Sequence, residues 1–245
     1  MNQWKYAIAQ IIEFLPDKVF DRIVEKYTGN KYVKHFTCRN QLLCMLFGQL
    51  TNRDGLRDLI VALDAHKNKF YHLGFGRGVT RSNLANSNEG RNYRIFEEFA
   101  YHLIAIARKT RANDAFEIKG KVYAFDSTTI DLCLNVFWWA TFRKAKGGIK
   151  LRTLFDITTQ IPAFVHITPT TVNDVNAMDY LIYEHSAYYI FDRGYVDYFR
   201  LFEITRHSAY FETRAKSNMK FRRIYSQKFD ETTGVKYDQL SLNLF

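Results

Sequence analysis

The apolar residues of this chain change their spacing once, near residue 115, and that change limits the fold to a helical part followed by a sheet. Before it, the segments YAIAQIIEFL, KVFDRIVEKY, NQLLCMLFGQL, LRDLIVALDAH and IFEEFAYHLIAIARK repeat apolar residues every three or four positions, as amphipathic helices do. Pro16 and Asp17 open the second of these well, because a proline early in a first turn loses no needed donor. After the polar stretch KTRANDAFEIKGK the apolar residues alternate or run together. There KVYAFDS, IKLRTLFDI, QIPAFVHIT, AYYIFD and AYFETRA predict strands, and TVNDVNAMDYLIYEHS and VDYFRLFEITRHS predict helices between the later ones. Short links between the first three strands suit antiparallel pairing, and helical links suit parallel crossovers. The expected class is α/β: an all-α domain over residues 1–115, then a mixed sheet with flanking helices over residues 116–245.

A chain of 245 residues that is 47% hydrophobic can bury a core, and no apolar run approaches membrane-spanning length. The opening MNQWKYAIAQIIEF lacks a signal peptide's cleavage pattern. Cys38, Cys44 and Cys133 are odd in number and show no CxxC spacing, which disfavours structural zinc and a disulfide framework and makes a reducing cytoplasm the expected location. The formal net charge is +10, a balance that suits a polyanionic partner such as nucleic acid, although a basic protein without one is equally compatible. The excess leans forward, since residues 1–115 hold 18 Lys and Arg against 11 Asp and Glu.

Two kinds of site stand out. Thr80 is a good cap for a short polar helix carrying Arg81, Ser82, Asn83 and Asn86, which fits a recognition helix and equally a solvated surface helix. The nearby GFGRG has neither a preceding strand nor a following Gly-Lys-Ser/Thr, so it makes a poor phosphate loop. Asp126 and Asp192 end the first and fourth predicted strands. Either alone reads as a cap or turn residue. Together, on strands able to lie side by side, they suit a shared divalent ion with hard oxygen ligands, magnesium or manganese, and phosphoryl transfer.

The stretches AFDSTTIDLCLNVFWWATFRKAKGGIKLRTLFD, IPAFVHITPTTVNDV and YYIFDRGYVDYFRLFEIT, followed by AYFETRAK, resemble the catalytic domain of bacterial insertion-sequence transposases of the DDE class. The part from IIEFLPDKVFDRIVEKY to RSNLANSN resembles the DNA-binding region that precedes it in that group. The resemblance implies a ribonuclease H-like core that cuts and joins transposon ends, with Mg2+ or Mn2+ held by Asp126 and Asp192 as the first two catalytic residues. It implies double-stranded DNA at inverted-repeat ends as partner, a homodimer or a mixed dimer with full-length transposase, and no membrane. Arg193, Tyr195 and Lys150 flank the two aspartates and are expected DNA contacts as well. Lys144 and Lys146 in FRKAKGGIK, and Arg214 and Lys216 in TRAK, are expected to track the DNA backbone, because Lys and Arg dominate phosphate contacts. Arg81 and Asn83 are the expected DNA contacts of the helical part.

The family's third catalytic residue is a glutamate in a Tyr-Arg-Glu-Lys signature beyond an inserted β-rich region. This chain reaches that region at FRRIYSQKFDETTGVKYDQ and has no such pattern before Phe245; Glu203 and Glu212 do not match it. The expectation is therefore a core incomplete at the C-terminus and a weakly active or inactive transposase, with a non-catalytic DNA-binding or regulatory remnant as the alternative.

Overall fold

The structure is a computed structural model that describes residues 7–69, 74–75, 78–110, 120–132, 141–143, 146–217, 221–230, 232, 234–235 and 237–243. The chain divides into two compact units, Met1–Ile106 and Ala107–Phe245. Among the described residues no helix is long and apolar enough to cross a membrane.

The first unit is helical: α1 (Ala7–Glu13), α2 (Asp17–Lys26), α3 (Cys38–Leu50), α4 (Leu56–Ala65), α5 (Arg81–Gly90) and α6 (Arg94–Thr110), whose last residues belong to the second unit. Its apolar stripes meet in two clusters. Phe20, Ile23 and Val24 of α2 pack against Cys38, Ile95 and Phe99, while Leu43, Cys44 and Phe47 of α3 pack against Leu59, Leu63 and Leu84. The hydroxyls of Thr37 and Thr80 cap α3 and α5 by accepting from the backbone N–H of Asn40 and Asn83. At Gly29, after α2, an added Cβ would stand 2.5 Å from Ile95 Cδ1 and 2.8 Å from Cys38 Sγ, so the close packing there needs glycine. Cys38 and Cys44 are free and buried, and burial pushes the Cys44 thiol up to about 12, so it is unreactive.

The second unit is built on a sheet of β1 (Val122–Leu132), β2 (Thr141–Arg143), β3 (Lys146–Asp156), β4 (Ile161–Pro169), β5 (Tyr188–Phe191) and β6 (Tyr210–Thr213), with α7 (Tyr198–Arg206) linking the last two. The main order is β4-β3-β1-β5-β6, and β2 adds to the start of β3. The first three long strands run antiparallel, and β1, β5 and β6 are parallel, as their links predict. This is the ribonuclease H-like arrangement. Strands β7 (Phe221–Gln227) and β8 (Asp238–Asn243) form a separate antiparallel pair.

One sheet face carries the core. Tyr123 and Phe125 of β1, Leu154 of β3, and Tyr189 and Phe191 of β5 are covered by Met178, Leu181, Tyr195, Leu201 and Ile204. The other face is more open, with Phe155, Ile167, Tyr188 and Tyr210 keeping a third or more of their surface exposed. The crossover from β4 to β5 departs from the sequence expectation: it is a 3-10 helix over Asp174–Tyr180, not an α-helix. Val175, Met178 and Leu181, three residues apart, all pack on the core, a spacing that suits three residues per turn.

Asp174 at the start of that crossover is drawn down by a cation. Arg152 of β3 is fully buried and donates through Nε to Asp174 Oδ1 at 3.1 Å, through Nη2 to the Val172 carbonyl at 2.8 Å, and through Nη1 to the Thr168 hydroxyl. Lys150 Nζ reaches the other Asp174 oxygen at 2.7 Å. At the opposite end of β1, Glu184 accepts from the Tyr123 hydroxyl at 2.7 Å and pairs with Lys121, while Arg108 donates to Tyr123 Oη at 2.7 Å and to Asp156 at 3.2 Å.

A buried charge that loses its partner is costly, whereas an apolar replacement of both partners is not. Asp174→Ala should therefore lower the unfolding free energy in urea by about 3–5 kcal/mol, and the double change Arg152→Met with Asp174→Leu should cost much less. Equal losses would show that the pair is not what holds the crossover. A second test concerns pH. Arg200 of α7 donates to both oxygens of Asp179 at 2.7 Å, and these bonds hold the carboxyl below its usual value against a weak opposing effect of burial. A depressed folded value means stability that is present above the unfolded pKa of about 3.9 and lost as pH falls through the folded one. Half-exposed Asp179 limits the contribution to about 1 kcal/mol. Melting temperatures of the protein and of Asp179→Asn should differ near neutrality and converge in acid.

Candidate active site

Why the strand YYIF runs into a carboxylate follows from where its end lies. β5 pairs with β1 in parallel, and the last matched residues are Phe125 and Phe191. Asp126 and Asp192 are the next residues on each side. Asp192 keeps extended dihedrals, φ −73° and ψ 159°, so the two backbones stay in line past the final pair. Adjacent strands lie about 4.8 Å apart, so the two aspartates are neighbours although far apart in sequence. Asp192 stands at the carboxyl end of β5, where open α/β sheets gather their functional groups, whereas Asp126 does not end its strand as the sequence suggested: only its parallel pairing stops there, and β1 runs on to Leu132 against β3. Both are exposed.

The surroundings explain how the pair is held. Asp126 lies within β1 opposite Thr153 of β3, and its Oδ1 accepts from the Ser127 N–H at 2.7 Å. Asp192 precedes the 3-10 turn Arg193–Tyr195, and its carbonyl accepts the Tyr195 N–H at 3.0 Å. That turn folds the Tyr195 ring back onto Phe125 and Phe191, with centroids 5.1 and 6.0 Å away. The phenol is buried close to the Ser127 hydroxyl without a well-formed hydrogen bond; burial raises it above its usual range, opposed by Ser127 and helped by the negative charges of Asp174 and Asp126. Thus Tyr195 rivets the two aspartate-bearing strands from the core side.

Among the described residues neither aspartate carries an ion pair to Lys, Arg or His. Two adjacent, exposed, unneutralised carboxylates form a hard-oxygen donor set, which fits a divalent ion of the magnesium type. Among the described residues no group of three or more His, Cys, Asp or Glu is placed to hold a metal. Glu212 of β6 lies level with Ile190 of β5, one pleat short of Asp192 on the same face.

The other residues singled out in the sequence are dispersed. Arg193 is exposed beside Asp192, and Arg214 is exposed just beyond β6. Lys216 Nζ donates to the Val196 carbonyl at 2.9 Å, which ties the end of β6 to the segment after Tyr195. Lys150 is engaged by Asp174, and its side chain is 18% exposed. Lys146 lies in β3, and Lys144 lies outside the described residues. Arg81 and Asn83 are exposed on α5 of the helical unit. Sequence reasoning did not single out Arg152, Ser127 or Asp174. A signal existed for Arg152: in IKLRTLFD the positions alternating with Ile149 and Leu151 include a cation one step from core Leu154.

Comparison with known proteins accords with this architecture. Residues 117–243 match the family model described as Transposase DDE domain, and residues 4–76 match the domain of unknown function DUF4372. The Sinorhizobium fredii (strain NBRC 101917 / NGR234) protein named "Putative transposase y4zB" is 31% identical over 153 residues, 62% of this chain and 41% of that protein. The matched part therefore spans less than half the length of that relative. Among solved structures, a piggyBac transposase synaptic complex with hairpin DNA aligns over 84% of this chain and 50% of that one, with a TM-score of 0.42 and 12% identity. With just over half of its residues inside the family model, the chain belongs to the transposase DDE domain family.

Proposed function

We propose that this chain acts on DNA at transposon ends by metal-dependent phosphoryl transfer, with Asp126 and Asp192 as the catalytic carboxylates. The observation that carries the reading is the parallel register Phe125 to Phe191, which sets the two acids on adjacent strands just past the last parallel pair. They would hold Mg2+ or Mn2+, and such an ion, when bound, activates an attacking oxygen and stabilises charge on the leaving one. The chain's own part is positioning. Tyr195 fixes the turn after Asp192 against Phe125, so the two carboxylates keep their spacing. Exposed Arg193 and Arg214 are at hand for phosphate oxygens, which Arg recognises in bidentate fashion. The partner is duplex DNA at inverted-repeat ends, engaged by a homodimer or by a mixed dimer with a longer transposase. Buried free thiols at Cys38 and Cys44 suit a reducing cytoplasm.

The alternative is a DNA-binding or regulatory role without cleavage. It is motivated by the exposed Arg81 and Asn83 of α5, which lie in a different unit from the aspartate pair.

Mn2+ binding read by electron paramagnetic resonance tests the carboxylate pair directly. Asp126→Asn and Asp192→Asn should each weaken it roughly 10- to 100-fold and abolish any metal-dependent nicking of supercoiled DNA, leaving duplex binding intact. Wild-type Mn2+ affinity in both variants would sink the assignment. Tight duplex binding with intact Mn2+ affinity and no nicking would favour the regulatory role.

A further inference from the structure

The helical unit holds a second polar concavity, unrelated to the aspartates. Helices α4 and α5 share one core through Leu59, Leu63 and Leu84. Above that core their outer faces part to leave a groove of about 610 Å3 lined by Gly55, Leu56, Arg57, Arg81, Ser82, Ala85 and Asn86. Arg57, Arg81, Ser82 and Asn86 are exposed. On α5 the lining falls at positions 81 and 85 and at 82 and 86, so one stripe of the helix faces the groove while Leu84 faces the core.

The chemistry of the lining is one-sided. It holds two guanidinium groups, a hydroxyl and an amide, and no carboxylate. Among the described residues neither Arg57 nor Arg81 has an acidic partner; of the acids nearest in sequence, Asp58 is paired with Arg53 at 3.5 Å, and Asp54 directly precedes Gly55. Two arginines with a neutral hydroxyl and amide beside them suit a phosphodiester, whose two non-bridging oxygens accept hydrogen bonds. Gly55 leaves the groove mouth open, since a Cβ there would meet nothing within 4 Å.

We propose that this groove seats a phosphate of the DNA backbone, with Arg57 and Arg81 as a two-sided clamp and Ser82 and Asn86 as neutral donors. The proposal rests on the reading of the chain as a DNA-acting protein, and it narrows that reading: Arg81 anchors and does not read sequence. Phosphate contacts fix register on the duplex and carry no base information.

The test uses the whole chain and fluorescein-labelled duplexes of about 25 base pairs, in two unrelated sequences, titrated between roughly 50 and 200 mM KCl. Each phosphate contact contributes about 0.9 to the slope of log affinity against log salt. Arg57→Gln and Arg81→Gln should each lower that slope, equally on both duplexes, and the double variant should lower it by about 0.9 in all, because the two arginines hold one phosphate. Ser82→Asp should weaken binding to both duplexes while keeping α5 folded, because an acid in the first turn favours a helix. Lys18→Gln, an exposed cation on α2 away from the groove, should leave the slope unchanged. Unchanged slopes in both arginine variants, with a salt-dependent wild type, would overturn the clamp alone. An equal slope change in Lys18→Gln would overturn it in favour of diffuse charge, and losses confined to one duplex would overturn it in favour of base reading. Wild-type binding that ignores salt would sink both the clamp and the underlying DNA reading.

Discussion

The parallel seam between β1 and β5 is the constraint from which the rest of the second unit follows. Parallel strands cannot be joined by a tight turn, so the chain between them must leave the sheet and return over one face. The returning segment brings Met178 and Leu181 down onto Tyr189 and Phe191 and so builds the core on that face. The same seam fixes which residues come last on each strand. Tyr123 stacks on Tyr189 at 5.2 Å, Phe125 meets Phe191 edge-on at 6.0 Å, and one residue further the side chains are no longer apolar. The aspartates therefore stand where the aromatic ladder ends. A slip of one residue would turn both ladders to the other face, so the core guards the register of the carboxylates.

Arg152 answers a different demand of the same sheet. Toward the carboxylate end the core face stops being apolar: β3 presents Arg152 and Lys150 beyond Leu154, and β1 presents Ser127 beyond Phe125. A buried guanidinium is tolerable only when its donors are satisfied. The crossover supplies the acceptors, Val172 carbonyl and Asp174, and β4 supplies Thr168. This fastening explains the tightly wound crossover: Asp174 is held at the sheet and Leu181 at the core, and a 3-10 helix covers that span at about 2 Å per residue where an α-helix would rise only about 1.5 Å.

The sequence made the succession of helical region and mixed sheet, five of the helices of the first unit by period and the α5 cap by Thr80 readable, because these depend on residues within one turn or one strand of each other. Strand directions were readable for a related reason, since link length restricts pairing. The adjacency of Asp126 and Asp192 could be anticipated only through those directions. What local pattern could not give was the choice of distant polar partners. Lys150, on sequence grounds a candidate for the DNA backbone, has Asp174 as its ion-pair partner, 24 residues away. The apolar spacing of TVNDVNAMDYLIYEHS satisfies a 3.6-residue repeat and a 3.0-residue one almost equally over so short a stretch, and the Arg152 anchor selects the latter.

Charge divides the labour between the two halves of the chain. Residues 1–115 carry a net +7, from 18 basic against 11 acidic residues, and residues 116–245 carry the remaining +3 of the total +10. Two carboxylates on adjacent strands repel each other and any phosphate brought near them, although water weakens that repulsion strongly at exposed positions such as these. A duplex therefore cannot be recruited by the aspartate pair itself. In the proposed function its attraction comes from cations placed elsewhere, and the larger excess of them lies in residues 1–115, where Arg57 and Arg81 stand without acidic partners among the described residues. The proposed function thus separates the groups that would attract DNA from those that would act on it, and each set has its own surroundings: among the described residues, arginines without acidic partners at a groove, and carboxylates without cationic partners on adjacent strands.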